Sequence, residues 1–471
     1  MKATPRPVGL PDAVATREGL RASLCQPADV VAEYLDRLDA QHDTLNAAAR
    51  ILRASALDTA RQPNNGPLAG LPISVKETFG IADEALTAGS LRRPVSVPES
   101  DSTVVQRLRA AGAVIHARGN VPELAMTGET TNLRFGRTRN YLDPQRTAGG
   151  SSGGDATLVA SGSSIAGVGS DILGSIRIPA AFNGIVGFKA AADAIDKTGT
   201  WPDLRGTYAD RLLALGTLTR SVRDALLVYN VIARQPVGQL PSPTTLRLII
   251  PEPFQMRCKS SAIDNGLARA RGHLRKALRE VQEPFPDVGQ LFKHLLALIA
   301  TELGPRLTEE LRTADGERFS VFSETLSQLR GRPTIDRGLY QLLLTAPLVR
   351  THAKKLQSIH RTFDEARLHY HALLGQDGIL LLPTLGLIAP RHGAMNRGSL
   401  RPGVNATVTP LTFCNQIDLP AITLPAWSDP DPVSGLPPGI TLACAPGSEG
   451  ALMAAAQLLE PALNPYRQDD A

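Results

Sequence analysis

Apolar and polar positions follow two rhythms along this chain. Between Asp29 and Leu38 the apolar residues Val30, Val31, Tyr34, Leu35 and Leu38 recur at helical spacing and share one face. Pro27 suits the first turn of that helix, and residues 11–60 as a whole read as helical packing material. Leu71-Pro72-Ile73-Ser74-Val75 then reads as a short strand that ends at Lys76. Thr103 to Gly112 returns to the helical period, with Val104, Val105, Leu108 and Ala111 on one face, and Val114-Ile115-His116 is the next strand. This alternation predicts an α/β fold whose sheet carries helices on both faces.

The same reading continues downstream. Gly154 to Ala160 predicts a short helix, Ile165 to Ser170 a buried strand of small residues, and Ser175 the opening of a helix that tolerates Pro179 near its first turn. Gly216 to Asp224 leads into a helix through Asn230. Pro236, Pro241 and Pro243 mark a change of character. After a strand at Leu246–Ile250, residues 261–375 carry helical patterns that include Leu267, Leu274, Leu278 and Val281. The last pattern ends at Leu374, with Gly375 in the C′ position. Strands return at 378–384, 419–425 and 436–442, and a helix from Ser448 to Leu459 closes the chain.

Composition narrows the function classes. With 471 residues, 42% of them hydrophobic, the chain can bury a large core. Its 50 basic and 45 acidic residues are interspersed, so a net charge of +5 forms no basic, aromatic-laced patch and no nucleic-acid partner is expected. Cys25, Cys258, Cys414 and Cys444 are too far apart for a CxxC pair or a compact metal site. They read as reduced thiols of the cytoplasm. The first residues lack the apolar stretch of a signal peptide, and no run of about 18 apolar residues suggests a membrane span.

Candidate chemistry concentrates in Ala148-Gly149-Gly150-Ser151-Ser152-Gly153-Gly154-Asp155 and in Ser170-Asp171-Ile172-Leu173-Gly174-Ser175-Ile176-Arg177-Ile178-Pro179. Small residues let the backbone approach a substrate closely. Unpaired N–H groups at the turn before a helix can stabilise a developing oxyanion. A flexible linker would continue as linker, whereas apolar small-residue segments follow here. A phosphate-binding loop would need Gly-Lys-Ser/Thr after the turn, and Asp155 follows Gly154. A serine hydroxyl attacks only when something removes its proton. No Ser/His/Asp arrangement is evident among the nine histidines. A lysine can serve as the base when burial lowers its pKa, and Lys76 stands just past an apolar strand.

These two runs and the upstream Gly70-Leu71-Pro72-Ile73-Ser74-Val75-Lys76-Glu77, in that order, resemble the amidase signature family. The resemblance covers most of residues 20–235 and 376–460, and no family motif falls in 251–375. It implies one discontinuous α/β body, residues 1–471, with a central mixed β-sheet. Its parts are a signature core at 65–235, a helical insertion at 251–375 that shapes substrate choice, and a C-terminal return at 376–465. It also implies Ser175 as nucleophile, Ser151 as the relay serine after a cis peptide, and Lys76 as base. The backbone amides of Ile172, Leu173, Gly174 and Ser175 would form the oxyanion hole, and Met126, Ser152 and Leu173 would line the substrate.

The activity implied is hydrolysis of a small-molecule carboxamide through an acyl-serine, with no metal or organic cofactor. Three alternatives stay open: an amide-forming acyltransferase, an ammonia-generating amidotransferase subunit, and a non-catalytic member. A homodimer is the assembly the resemblance admits. Asp171 and Arg177 read as a supporting ion pair. Leu173 departs from the family's glycine: at positive φ it would be strained, and at negative φ it would narrow the acyl pocket. Lys189-Ala190-Ala191 lacks the usual proline after the lysine, which alters a turn.

Overall fold

Eleven strands form one mixed sheet in a computed structural model that describes residues 9–62, 64–252, 258–284, 288–395 and 402–466. In chain order the strands are β1 (Ala48–Ile51), β2 (Pro72–Lys76), β3 (Val114–Gly119), β4 (Thr131–Asn132), β5 (Gly136–Arg137), β6 (Ala166–Asp171) and β7 (Val186–Lys189). They continue with β8 (Ala214–Thr219), β9 (Arg247–Glu252), β10 (Arg279–Pro284), β11 (Gly378–Pro383), β12 (Ala421–Pro425) and β13 (Gly439–Ala443). Strands β4 and β5 form a separate two-stranded sheet; the large sheet runs β1-β3-β2-β6-β8-β7-β12-β13-β11-β9-β10. Pairing is parallel along β3-β2-β6 and β11-β9-β10, and antiparallel at β1-β3 and from β6 to β11.

The helices are α1 (Ala13–Arg21), α2 (Pro27–Leu45), α3 (Arg53–Ala60), α4 (Thr103–Ala110), α5 (Gly153–Ala160), α6 (Arg177–Asn183) and α7 (Val222–Ile232). After them come α8 (Ser261–Leu274), α9 (Val288–Glu310), α10 (Val321–Leu329), α11 (Arg337–Val349), α12 (Ala353–Leu374), α13 (Pro402–Gln416) and α14 (Glu449–Leu463). The face read from the sequence for α2 is buried at all five positions, each such side chain contributing on the order of 2 kcal/mol by leaving water.

Strand periodicity decides which core each side chain joins. Along β11, Ile379 and Leu381 enter the cluster built with α4, α7, α8 and α14, while Leu380 and Leu382 enter the one built with α9, α11 and α12. Along β8, Leu215 joins the first cluster and Leu218 packs opposite, with Ala156 and Val159 of α5 and Ala180 of α6. Both faces are therefore covered, which explains why the strands read as continuous apolar runs.

Two elements differ from the sequence reading. Residues 48–51 lie within the stretch expected to be helical, yet form β1 by pairing antiparallel with β3, Arg50 opposite Arg118 and Ile51 opposite Ala117. Val281, assigned to a helical pattern, lies in β10, which extends β9 in parallel at the sheet edge. Its Arg-Glu-Val-Gln-Glu-Pro sequence suits an exposed edge, where charges discourage further pairing. The stretch 251–375 is therefore not purely helical.

Candidate active site

Strand β2 lies between β3 and β6, and all five of its residues are buried. It delivers Lys76 to the sheet's end with its side chain fully covered. The Lys76 Nζ donates to Ser151 Oγ at 2.7 Å, to Ser170 Oγ at 2.8 Å and to the Ser170 carbonyl at 3.4 Å. Burial lowers its pKa from 10.5 to about 7, and the carboxyls of Asp155 and Asp171 pull the other way. A neutral amine keeps one lone pair, the capacity a proton acceptor needs.

The glycine-rich run brings Ser151 to that amine. Gly149 has φ +79°, the Gly150–Ser151 peptide is cis, and the Gly149 carbonyl accepts from both the amide and the hydroxyl of Thr130. A Cβ on Gly150 would meet the backbone of Thr127, Gly128 and Glu129 at 2.7–3.0 Å, so only glycine fits there. The Ser152 amide donates to the Ser175 carbonyl at 3.0 Å, tying the glycine-rich loop to the loop that carries Ser175. The Ser152 hydroxyl is buried and makes no hydrogen bond among the described residues.

Ser175 sits between β6 and α6 on a loop fixed by one buried ion pair. Arg177 donates to Asp171 through Nε at 3.0 Å and Nη at 3.1 Å, and both side chains are fully covered. Asp171 accepts the amides of Gly174 (2.7 Å) and Ile176 (3.2 Å), which flank Ser175. Asn415 of α13 closes the clamp by donating to Asp171 and accepting from Arg177. Burial works to raise the Asp171 carboxyl, but the charge and hydrogen bonds of Arg177, with Lys189 and Asn415, outweigh it and hold it below the ordinary carboxylate range.

The same loop bears on two expectations. The Gly174 N–H is engaged by Asp171, so of four expected oxyanion-hole amides those of Ile172, Leu173 and Ser175 remain without an acceptor among the described residues. The positive φ falls on Gly174 (+98°) and not on Leu173, so leucine is unstrained at the position where the resemblance leads one to expect glycine.

Lys76 and Ser151 are buried, while Ser175, Ile172, Leu173 and Met126 are half-exposed. Met126, Ile172 and Leu173 pack against the cluster that includes Leu339, Leu343 and Phe363 of α11 and α12. The structure thus hydrogen-bonds Lys76 to Ser151 and links Ser175 to Ser152 through the backbone. The Ser175 hydroxyl makes no hydrogen bond among the described residues. Ser170 and Asn415 were missed by sequence reasoning; no spacing rule links a serine on β6 to a lysine on β2. Among the described residues, no group of three or more His, Cys, Asp or Glu could hold a metal ion, and no helix is long and apolar enough to cross a membrane.

The family model named Amidase matches residues 29–453. The chain belongs to the amidase signature family. Among other members, a glutamyl-tRNA(Gln) amidotransferase subunit from Carboxydothermus hydrogenoformans is 29% identical over 94% of this chain and 95% of its own. Human fatty-acid amide hydrolase 2 is 27% identical over 97% of this chain and 90% of its own. A solved amidase structure, 27% identical, superposes with a TM-score of 0.80 over 96% of this chain and 100% of its own. Amidase signature enzymes are thus hydrolases or amidotransferases, and the mixed sheet with its helices is the family fold.

Proposed function

We propose that this chain hydrolyses a small-molecule carboxamide through an acyl-serine. The observation that carries the reading is a fully buried amine, brought to about 7 by desolvation, at 2.7 Å from the Ser151 hydroxyl. Ser175 Oγ attacks the carbonyl carbon as its proton passes to Ser151, whose own proton passes to Lys76. The C–O bond forms, and the oxyanion is met by the amides of Ile172, Leu173 and Ser175. The proton returns through Ser151 to the leaving nitrogen, the C–N bond breaks, and water then releases the acid by the same relay. In this reading Met126 and Leu173 line the acyl group, and the 251–375 stretch shapes substrate choice within one catalytic body. The enzyme works in the cytoplasm, consistent with four free cysteines.

The test is a panel of amides varied in acyl size, read by mass spectrometry with and without Ser175→Ala. Unchanged turnover in the variant would refute the assignment. A second reading, acyl or ammonia transfer, is favoured by the likeness, over nearly the whole chain, to one component of an amidotransferase. Added amines that divert the acyl group from acid to amide, or partner chains that co-purify, would select it over hydrolysis.

A further inference from the structure

Asp155 lies in the third position of α5, fully buried beneath the end of β2. Its Oδ1 accepts the Ser74 hydroxyl at 2.8 Å, and its Oδ2 has no hydrogen-bond partner among the described residues. Glycines carve the slot it occupies. A Cβ on Gly119 would collide with both carboxyl oxygens, and one on Gly167 would press at 3.0 Å on the Asp155 Cβ and at 3.1 Å on Ser74 Oγ. Gly119 pairs with Lys76 across β3 and β2, and Gly167 pairs with Ser74 across β6 and β2. The carboxyl is therefore lodged under the strand that carries the amine, two residues from where Ser74 anchors it.

A buried carboxylate with an unused oxygen is costly unless a nearby opposite charge compensates it. The charged groups facing it are few. Lys76 on β2 and Arg118 on β3 both act on it, while Asp171 at the end of β6 is the other carboxylate acting on Lys76. Arg118 also answers to Glu77, Glu84 and Arg50 on its far side, and Arg177 of α6 is committed to Asp171. Strand β8, also packed on α5, is Ala-Leu-Gly-Thr-Leu-Thr and brings no charge.

We propose that Asp155 is a positioning residue for the base: its carboxylate supplies the negative charge that balances the ammonium form of Lys76 while the relayed proton rests there. This rests on the reading of Lys76 as base. Lys76 and Asp155 make no direct ion pair, so the carboxylate acts through the low-dielectric interior without trapping the proton. No bond to Asp155 forms or breaks. The proton leaves Ser175 and reaches Lys76 through Ser151, then returns to the leaving nitrogen. Burial pushes the carboxyl up to about 7, against the opposing pull of Ser74 and Lys76, so both groups titrate in the neutral range and the ionised form of each favours the ionised form of the other.

The test is the pH profile of kcat/KM for Asp155→Asn, which keeps the shape and the Ser74 bond but removes the charge. Without the carboxylate Lys76 loses its proton more readily, and the acid limb should move to lower pH by about one unit. A residue needed only for packing would lower stability and leave the limb in place. Asp155→Ser, small enough for the same slot, should move the limb in the same direction. An unmoved or upward-moved limb overturns the proposal. The Ser175→Ala control separates the failures: activity surviving there sinks the serine mechanism, whereas an inactive Ser175→Ala beside an unmoved Asp155→Asn limb sinks only the role of Asp155. If neither variant folds, carboxyl carbon-13 NMR of the unsubstituted enzyme decides. A carboxyl that ionises within the active pH range supports the proposal, and one that stays protonated throughout overturns it.

Discussion

The nitrogen of Lys76 and the hydroxyl oxygen of Ser151 stand 2.7 Å apart, and neither residue is more than 1% exposed. Water does not compete for that hydrogen bond, and desolvation, partly offset by the carboxyls of Asp155 and Asp171, brings the amine's pKa down to about 7.

The first consequence is a pH profile. Only the neutral amine can accept a proton, so kcat/KM should rise with pH through about 7 and level off above it. A limb near 10.5, the ordinary value, would mean the amine is charged in the working enzyme. Lys76→Met should lower kcat/KM by about 10²–10⁴-fold, the usual contribution of a general base.

The same group governs stability. Its folded pKa lies below its unfolded value, so between about 7 and 10.5 the unfolded chain binds the extra proton and stability rises with pH. Lys76→Met removes this linkage. At pH 7 the variant should resist urea better than the parent, by up to about 5 kcal/mol, since each pH step between the two pKa values is worth roughly 1.4 kcal/mol. The difference should shrink towards pH 10.5. A difference constant across that window would show that the amine is not desolvated.

The Asp171–Arg177 pair is expected to be indispensable to the loop. Truncating one member strands the other charge in a fully covered site, so Arg177→Ala should cost about 3–5 kcal/mol in urea unfolding. Asp171→Asn keeps the shape but weakens the bonds to the Gly174 and Ile176 amides. It should lower kcat more than KM, because the loop it loosens carries Ser175.

Leu173 offers a specificity test. Because its φ is not positive, Leu173→Gly relieves no strain and should not raise the melting temperature. It opens space instead against the apolar cluster on which Met126 and Ile172 also pack. Relative kcat/KM should shift towards larger acyl groups; an unchanged ranking across an acyl series would place Leu173 outside the acyl site.

How far the sequence could be read follows from how local each signal is. The strand ending at Lys76, the helix after Gly153 and the Asp171–Arg177 pair are written in contiguous residues. Each is found where the pattern put it. Strand β1 escaped because Ala-Ala-Arg-Ile has no alternation of its own and exists by pairing with β3. Strand β10 escaped because an edge strand of charged residues looks like a solvated helix face. The bond from Ser170 to Lys76 and the slot for Asp155 arise only when β2, β3, β6 and α5 come together. The turning away of the Gly174 amide likewise depends on where the Asp171 carboxylate lands.

Strands β12, β13 and β11 stand between β7 and β9, so the segment that begins at Gly378 fills the middle of the sheet. Asn415, from the same segment, reaches back to the loop that carries Ser175. A chain cut just before Gly378 would therefore lose not a tail but the keystone between its two outer parts. The motif-bearing half, expressed alone, should collapse into an aggregate with open strand edges rather than survive as a minimal catalyst.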